Sequence, residues 1–140
     1  MQIGDKKSWE RTFTLEDVRN FSHLSGDQGA HHLLPDNRGR IMVHGLLTAT
    51  LPTKLGGEMN YIARTMNFEF LRPVYVGDTI RCEVTITNLS CTAGRLLMDS
   101  SVTCINQNGK PVLIGKTQGI VREEAPRTQT PDVSDLIPGD

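Results

Sequence analysis

From Tyr61 to Val121 apolar residues return at every second position in four successive runs. The first holds Met66, Phe68 and Phe70; the second Ile80, Cys82, Val84 and Ile86; the third Leu96, Met98, Ser100, Val102 and Cys104; the fourth covers about residues 112–121. A period of two puts alternate side chains on one face of an extended strand, so this stretch is committed to a sheet with one buried face. Turn-forming segments separate the runs: Pro73 to Asp78, Ser90 to Gly94, and Asn106 to Lys110, whose Asn108-Gly109 pair suits a tight reversal. The strands are expected to form an antiparallel meander.

The buried face needs a cover, and the segment from about His44 supplies one. Leu46, Leu47, Ala49, Leu51 and Leu55 are apolar on several sides, as in a helix buried by a sheet. Pro52 removes one backbone hydrogen bond and is expected to bend or end the regular turns near residue 51, while Gly56-Gly57 is expected to stop the helix. Nearer the N-terminus, an extended segment around Trp9 to Phe13 leads to Thr14, a residue type suited to capping a helix that carries Glu16 and Asp17 in its first turn. That helix is expected to run to about Leu24, with Val18, Phe21, Ser22 and Ser25 on one side, Leu15 and Leu24 widening the apolar stripe, and Gly26 ending it. Residues 27–42 mix Gly29, Pro35, Asp36, Asn37 and Gly39 and are expected to be a loop containing helical turns. Long antiparallel strands around one apolar helix make an α+β architecture. Its uncovered strand edges are best satisfied by pairing two copies edge to edge, as a homodimer able to assemble further.

The 140 residues suit one domain able to bury roughly two-thirds of its unfolded surface. Lys and Arg number 15 against 16 Asp and Glu, so no overall field draws the protein to nucleic acid or an anionic membrane. No apolar stretch approaches the ~18 residues of a membrane span, and Met1 to Lys7 lack a signal-peptide core. Cys82, Cys91 and Cys104 are odd in number and lack zinc or redox spacing, which favours a reducing cytoplasm. Residues 123–140 contain three prolines and little periodicity, and are expected to be a mobile tail on a domain of residues 1–122.

Asp27 stands five positions before His32 in the turn-rich stretch Ser25-Gly26-Asp27-Gln28-Gly29-Ala30-His31-His32, and Val43-His44-Gly45-Leu46-Leu47 opens the apolar helix. A carboxylate and an imidazole in one loop can share a water, and a Gly at a helix start offers backbone N–H groups to an oxygen that gains charge. These are parts for moving a proton beside a thioester carbonyl. His23 and His31 are expected to be surface or packing residues.

Together with Phe21 to Asp27 and the later run Phe68 to Ile80, these residues resemble the MaoC-like family of R-specific enoyl-CoA hydratases and hydroxyacyl dehydratases, which has the hot-dog fold. The resemblance covers about residues 9–122. It implies an antiparallel sheet wrapped around a central helix, and syn hydration of a trans-2-enoyl thioester to a (3R)-hydroxyacyl thioester, or the reverse, on coenzyme A or an acyl carrier protein. The family motif, Gly-Asp, any residue, Asn-Pro, any residue, His, maps its catalytic carboxylate and imidazole onto Asp27 and His32. Gly29 and Ala30 occupy its Asn and Pro positions, and the segment between His32 and His44 is shorter than is usual there. By the same resemblance Gly45 is the oxyanion-hole residue, His44 orients the loop or contacts substrate, and no metal or redox cofactor is required. Lys54, Arg64, Arg72 and Arg81 are candidates for the ligand's phosphates. Two other readings stand beside hydration: a thioesterase, and a noncatalytic acyl-thioester-binding module.

Overall fold

The structure, a computed structural model, describes residues 1–122. The sequence expectation of a tail at 123–140 lies outside the described residues. Among the described residues, five strands and four helices follow one another in the order β1 (Lys6–Thr12), α1 (Leu15–Ser25), α2 (Ala30–Leu33), α3 (Gly45–Thr48), α4 (Thr50–Glu58), β2 (Tyr61–Phe70), β3 (Thr79–Thr92), β4 (Arg95–Ile105) and β5 (Pro111–Val121). The strands make one antiparallel sheet in the order β1-β3-β4-β5-β2. This is the expected α+β hot-dog arrangement.

The meander holds for β3, β4 and β5, but β2 pairs with β5 at the far edge rather than with β3. Residues 71–78 carry the chain from that edge to the other side of the sheet. They are pinned by Val43 N–H to the Val74 carbonyl at 2.7 Å and Gly77 N–H to the Phe13 carbonyl at 2.8 Å.

α1 begins as its sequence dictates. Thr14 Oγ1 accepts from Asp17 N–H and the Asp17 carboxylate accepts from Thr14 N–H, a reciprocal cap whose loss costs about 1 kcal/mol. Gly26, at φ 76°, closes the helix in the left-handed conformation that favours glycine. Leu24 does not extend the buried stripe as expected; it is 84 % exposed.

The central helix departs from expectation at both marked points. It breaks at Ala49, ahead of Pro52, which sits third in α4, where an N–H has no intrahelical partner to lose. Gly56-Gly57 lies inside α4, which ends only at Glu58. The packing of Leu51 and Leu55 holds those turns: both are buried among Phe13, Val18, Ile80, Val102 and Leu113, and each such side chain contributes roughly 1.5–3 kcal/mol. Trp9 adds an indole N–H to the Leu51 carbonyl at 2.8 Å, tying β1 to the helix.

The expected break at Ser90–Gly94 shrinks to a two-residue loop, Ala93-Gly94, with φ of 52° and 76°. Positive φ at both central positions matches the twist of the flanking strands, so pairing continues to Thr92 and Arg95.

Candidate active site

Asp27 leaves the C-terminus of α1 and His32 rides on α2, and the turn between them brings the two together. Asp27 Oδ2 lies 3.7 Å from His32 Nε2. In place of an Asn-Pro pair, local hydrogen bonds hold this turn. Ser25 Oγ accepts from Asp27 N–H at 3.0 Å, Asp27 Oδ1 from Gly29 N–H at 3.2 Å, and the Gly29 carbonyl from His32 N–H at 2.9 Å. A short polar side chain that bonds the backbone two residues on is a turn-forming device in its own right.

His32 is 6 % exposed, whereas the Asp27 side chain is 55 % exposed. The imidazole is oriented from behind: Nδ1 lies 2.7 Å from the Met42 carbonyl. A carbonyl only accepts, so Nδ1 carries the hydrogen and Nε2 of the neutral ring presents a lone pair toward Asp27. Met42 is itself fixed, its N–H bonded to the His31 carbonyl at 3.0 Å and its backbone bridged to Tyr75. Arg40 lies over the Tyr75 ring at 4.1 Å and is held by Asp36. Hydrogen bonds from the Arg40 and Arg38 N–H groups, with the Arg40 guanidinium, hold the Asp36 carboxyl below its ordinary range. Arg40 thus braces Tyr75, whose backbone bridges to Met42, the residue that orients the His32 ring.

His44 stands behind His32, 1 % exposed. Its Nε2 lies 3.0 Å from the Asp27 backbone carbonyl and 3.2 Å from Ser22 Oγ, so that nitrogen donates and Nδ1 is left as a buried acceptor without a hydrogen-bond partner among the described residues. Phe21 meets the same ring edge-on at 4.8 Å. Of the two roles the sequence left open for His44, this buried position suits orienting the loop. Nothing in the sequence pointed to Ser22 or Met42 as site residues. A Ser on an apolar helical stripe was a faint signal for the first, and a backbone carbonyl carries none.

Asp27, His32 and His44 bring donor atoms within 4.8 Å of one another, as a metal site would. The two rings, however, stack 3.8 Å apart and only 18° from parallel. Their in-plane lone pairs run side by side and do not converge on one ion at the ~2 Å a metal–imidazole bond needs.

Gly45 opens α3 on the exposed side of this cluster, facing the Phe70 ring so closely that an added Cβ would lie 3.0 Å from it. Arg72 lines the hollow beside Gly45 and donates to the Pro111 carbonyl. The other basic candidates lie elsewhere: Lys54 sits over Trp9 and pairs with Glu58, Arg81 reaches Ser8, and Arg64 is exposed on β2. From Gly45 and Thr48 the same helical face continues to Thr53 and Gly56, opposite Phe70, Phe68 and Met66 of β2. There it borders a largely apolar cavity of about 270 Å³ that also touches Met98 and Ser100.

Residues 42–104 match the family model described as the thioesterase superfamily. A mitochondrial 3-hydroxyacyl-[acyl-carrier-protein] dehydratase of Solanum lycopersicum is 28 % identical over 130 residues, covering 86 % of this chain and 78 % of that protein. An (R)-specific enoyl-CoA hydratase of Aeromonas caviae is 31 % identical over 100 residues, covering 64 % of this chain and 73 % of that protein. The solved structure of an (R)-hydratase from A. caviae involved in PHA biosynthesis superposes with a TM-score of 0.79 at 26 % identity, covering 87 % of this chain and 98 % of that one. By this likeness in sequence and in fold, the chain belongs to the (R)-specific enoyl-CoA hydratase and 3-hydroxyacyl dehydratase family of the hot-dog fold.

Proposed function

We propose that the protein is a hydro-lyase that adds water to trans-2-enoyl thioesters, giving (3R)-hydroxyacyl thioesters, or runs the reverse dehydration. The observation that carries this reading is the facing of Asp27 Oδ2 and His32 Nε2 across 3.7 Å. Neither atom donates when Asp27 is ionised and His32 neutral, so a water lying off their line directs one hydrogen to each and keeps a lone pair for C3. As the O–C3 bond forms, one water proton passes to the pair and the C2–C3 π electrons move toward the thioester oxygen. The pair then returns a proton to C2, which completes the addition without net proton change.

The oxygen that gains charge needs a donor, and Gly45 is our candidate. The first N–H groups of a helix have no partner within it, and Gly45 is the first residue of α3. The acyl chain would follow the helical face past Thr48 into the cavity bordered by Thr53 and Gly56. The thioesterase-superfamily match does not favour thioester cleavage over hydration, because residues 42–104 leave out Asp27 and His32.

The functional unit we propose is a homodimer. β2 ends the sheet with one edge unpaired among the described residues, and Ile62, Met66 and Phe70 on it are each about half exposed. A second copy paired along this edge would cover them. Three free cysteines, two of them buried and paired across β3 and β4, suit a reducing compartment such as the cytoplasm.

The test is to mix the protein with crotonyl-CoA, follow loss of the conjugated enoyl absorbance and identify the product. Asp27→Asn and His32→Ala should each lower kcat by about 10²–10⁴-fold with the fold retained. Release of free coenzyme A without a 3-hydroxybutyryl thioester would instead indicate a thioesterase. Thioester binding without turnover would indicate a binding module.

A further inference from the structure

The cavity along α4 is largely apolar; on the α4 side Thr53 directs its hydroxyl to the Ala49 carbonyl, and on the sheet side three hydroxyls meet: Tyr61, Thr117 and Ser100. They come from three strands. Ser100 and Thr117 are direct cross-strand partners on β4 and β5, and Tyr61 begins β2. Ser100 is the one polar residue in the inward row Met98, Ser100, Val102 and Cys104, and it is 3 % exposed.

The direction of each hydrogen bond follows from the last acceptor in the chain. Tyr61 Oη donates to the Met98 carbonyl at 3.1 Å, which uses the phenol's only proton. Burial, partly offset by the Thr117 hydrogen bond, raises the Tyr61 pKa and keeps the phenol a neutral donor. Its 3.0 Å contact with Thr117 Oγ1 therefore has Thr117 donating. Thr117 then has no proton left, so its 2.6 Å contact with Ser100 Oγ has Ser100 donating. Every proton in the relay is committed, and Ser100 Oγ lines the cavity with acceptor lone pairs only.

We propose that this floor makes the enzyme select acyl chains bearing a hydrogen-bond donor, a hydroxyl group above all, at the carbon that reaches Ser100. The inference rests on the cavity being the acyl site of the proposed hydratase. A hydroxyl supplies the proton Ser100 lacks. A methyl end leaves that buried acceptor dry and unpaired, and a keto or carboxylate end sets lone pairs against lone pairs.

The experiment compares kcat/KM for 2-enoyl-CoA thioesters over a series of chain lengths, each with a methyl, terminal hydroxyl or terminal keto end. Calorimetry of the corresponding saturated thioesters measures binding separately. At one chain length the hydroxylated substrate should exceed its methyl partner by about tenfold, the effect of one buried hydrogen bond. Ser100→Ala should bring that ratio to about one. Thr117→Val should free the Ser100 proton and raise the keto-to-methyl ratio. The proposal is overturned if no length shows a hydroxyl preference in turnover or in binding, or if the preference survives Ser100→Ala. Crotonyl-CoA keeps the two readings apart. If no enoyl thioester is hydrated, the hydratase assignment fails; if crotonyl-CoA is hydrated but hydroxylated chains gain nothing, only the selectivity fails.

Discussion

The imidazole rings of His32 and His44 stack with centroids 3.8 Å apart and planes 18° from parallel. One ring faces Asp27 with a lone pair, and the other holds the Asp27 backbone carbonyl. The stack thus couples the position of the carboxylate-bearing loop to that of the imidazole across from it. His44→Ala should lower kcat by about 10²-fold, the scale expected when reacting groups are misplaced by an ångström, with KM little changed. His44→Phe keeps a ring to stack on but loses the donor. It should recover thermal stability without recovering kcat, and equal recovery of both would reduce His44 to a packing role.

The edge of β2 left unpaired among the described residues is where the proposed homodimer should pair. Ile62→Asp places a charge among the exposed apolar residues of that edge and should shift the protein from dimer to monomer in sedimentation velocity. A monomeric wild type, or a dimer indifferent to the change, would refute the β2 interface.

Asp17 ties the start of α1 to β1 through Arg11 and caps the helix through Thr14. Burial pushes its carboxyl up, but the Thr14 N–H and the Arg11 charge outweigh this and hold it below its ordinary value of 3.8. A depressed folded value means stabilisation that is complete above the unfolded value and is lost as pH falls through the folded one. Asp17→Ala should therefore cost about 1 kcal/mol at neutral pH, and the difference from wild type should close as denaturation is repeated at increasingly acid pH. A difference independent of pH would show that the carboxylate charge contributes nothing.

Ala93 holds φ at 52° in the loop between β3 and β4, a conformation that costs an L-residue other than Asn or Asp about 1 kcal/mol. Ala93→Asn should raise stability by up to that amount in urea denaturation, and Ala93→Val should lower it. Unchanged midpoints for both would mean that the loop relaxes out of this conformation.

Elements whose cause is local were legible in the sequence. Thr14 and Gly26 mark the ends of α1 because capping involves residues three or four apart. Asn108-Gly109 marks its reversal because positive φ at Gly109 follows from residue type. Asp27 and His32 could be paired on paper because they stand only five positions apart in one turn-rich stretch. Gly56-Gly57 misled because glycine weakens an isolated helix by only ~1 kcal/mol per residue, less than the burial of Leu51 and Leu55 returns.

By itself, then, the sequence determined the strands from their two-residue period and the caps of α1 and the tight reversals from residue type, and it put Asp27 and His32 close enough along the chain to be proposed as a pair. Only the tertiary structure decided that β2 joins β5, that the Met42 carbonyl selects the tautomer of His32, that His44 lies buried beneath it, and that the hydroxyls of Tyr61, Thr117 and Ser100 meet. The physical reason is range. Propensity and capping act among neighbours along the chain, whereas strand order, ring stacking and the sharing of hydroxyl protons arise between residues that only packing brings together, often through backbone groups that are the same in every amino acid.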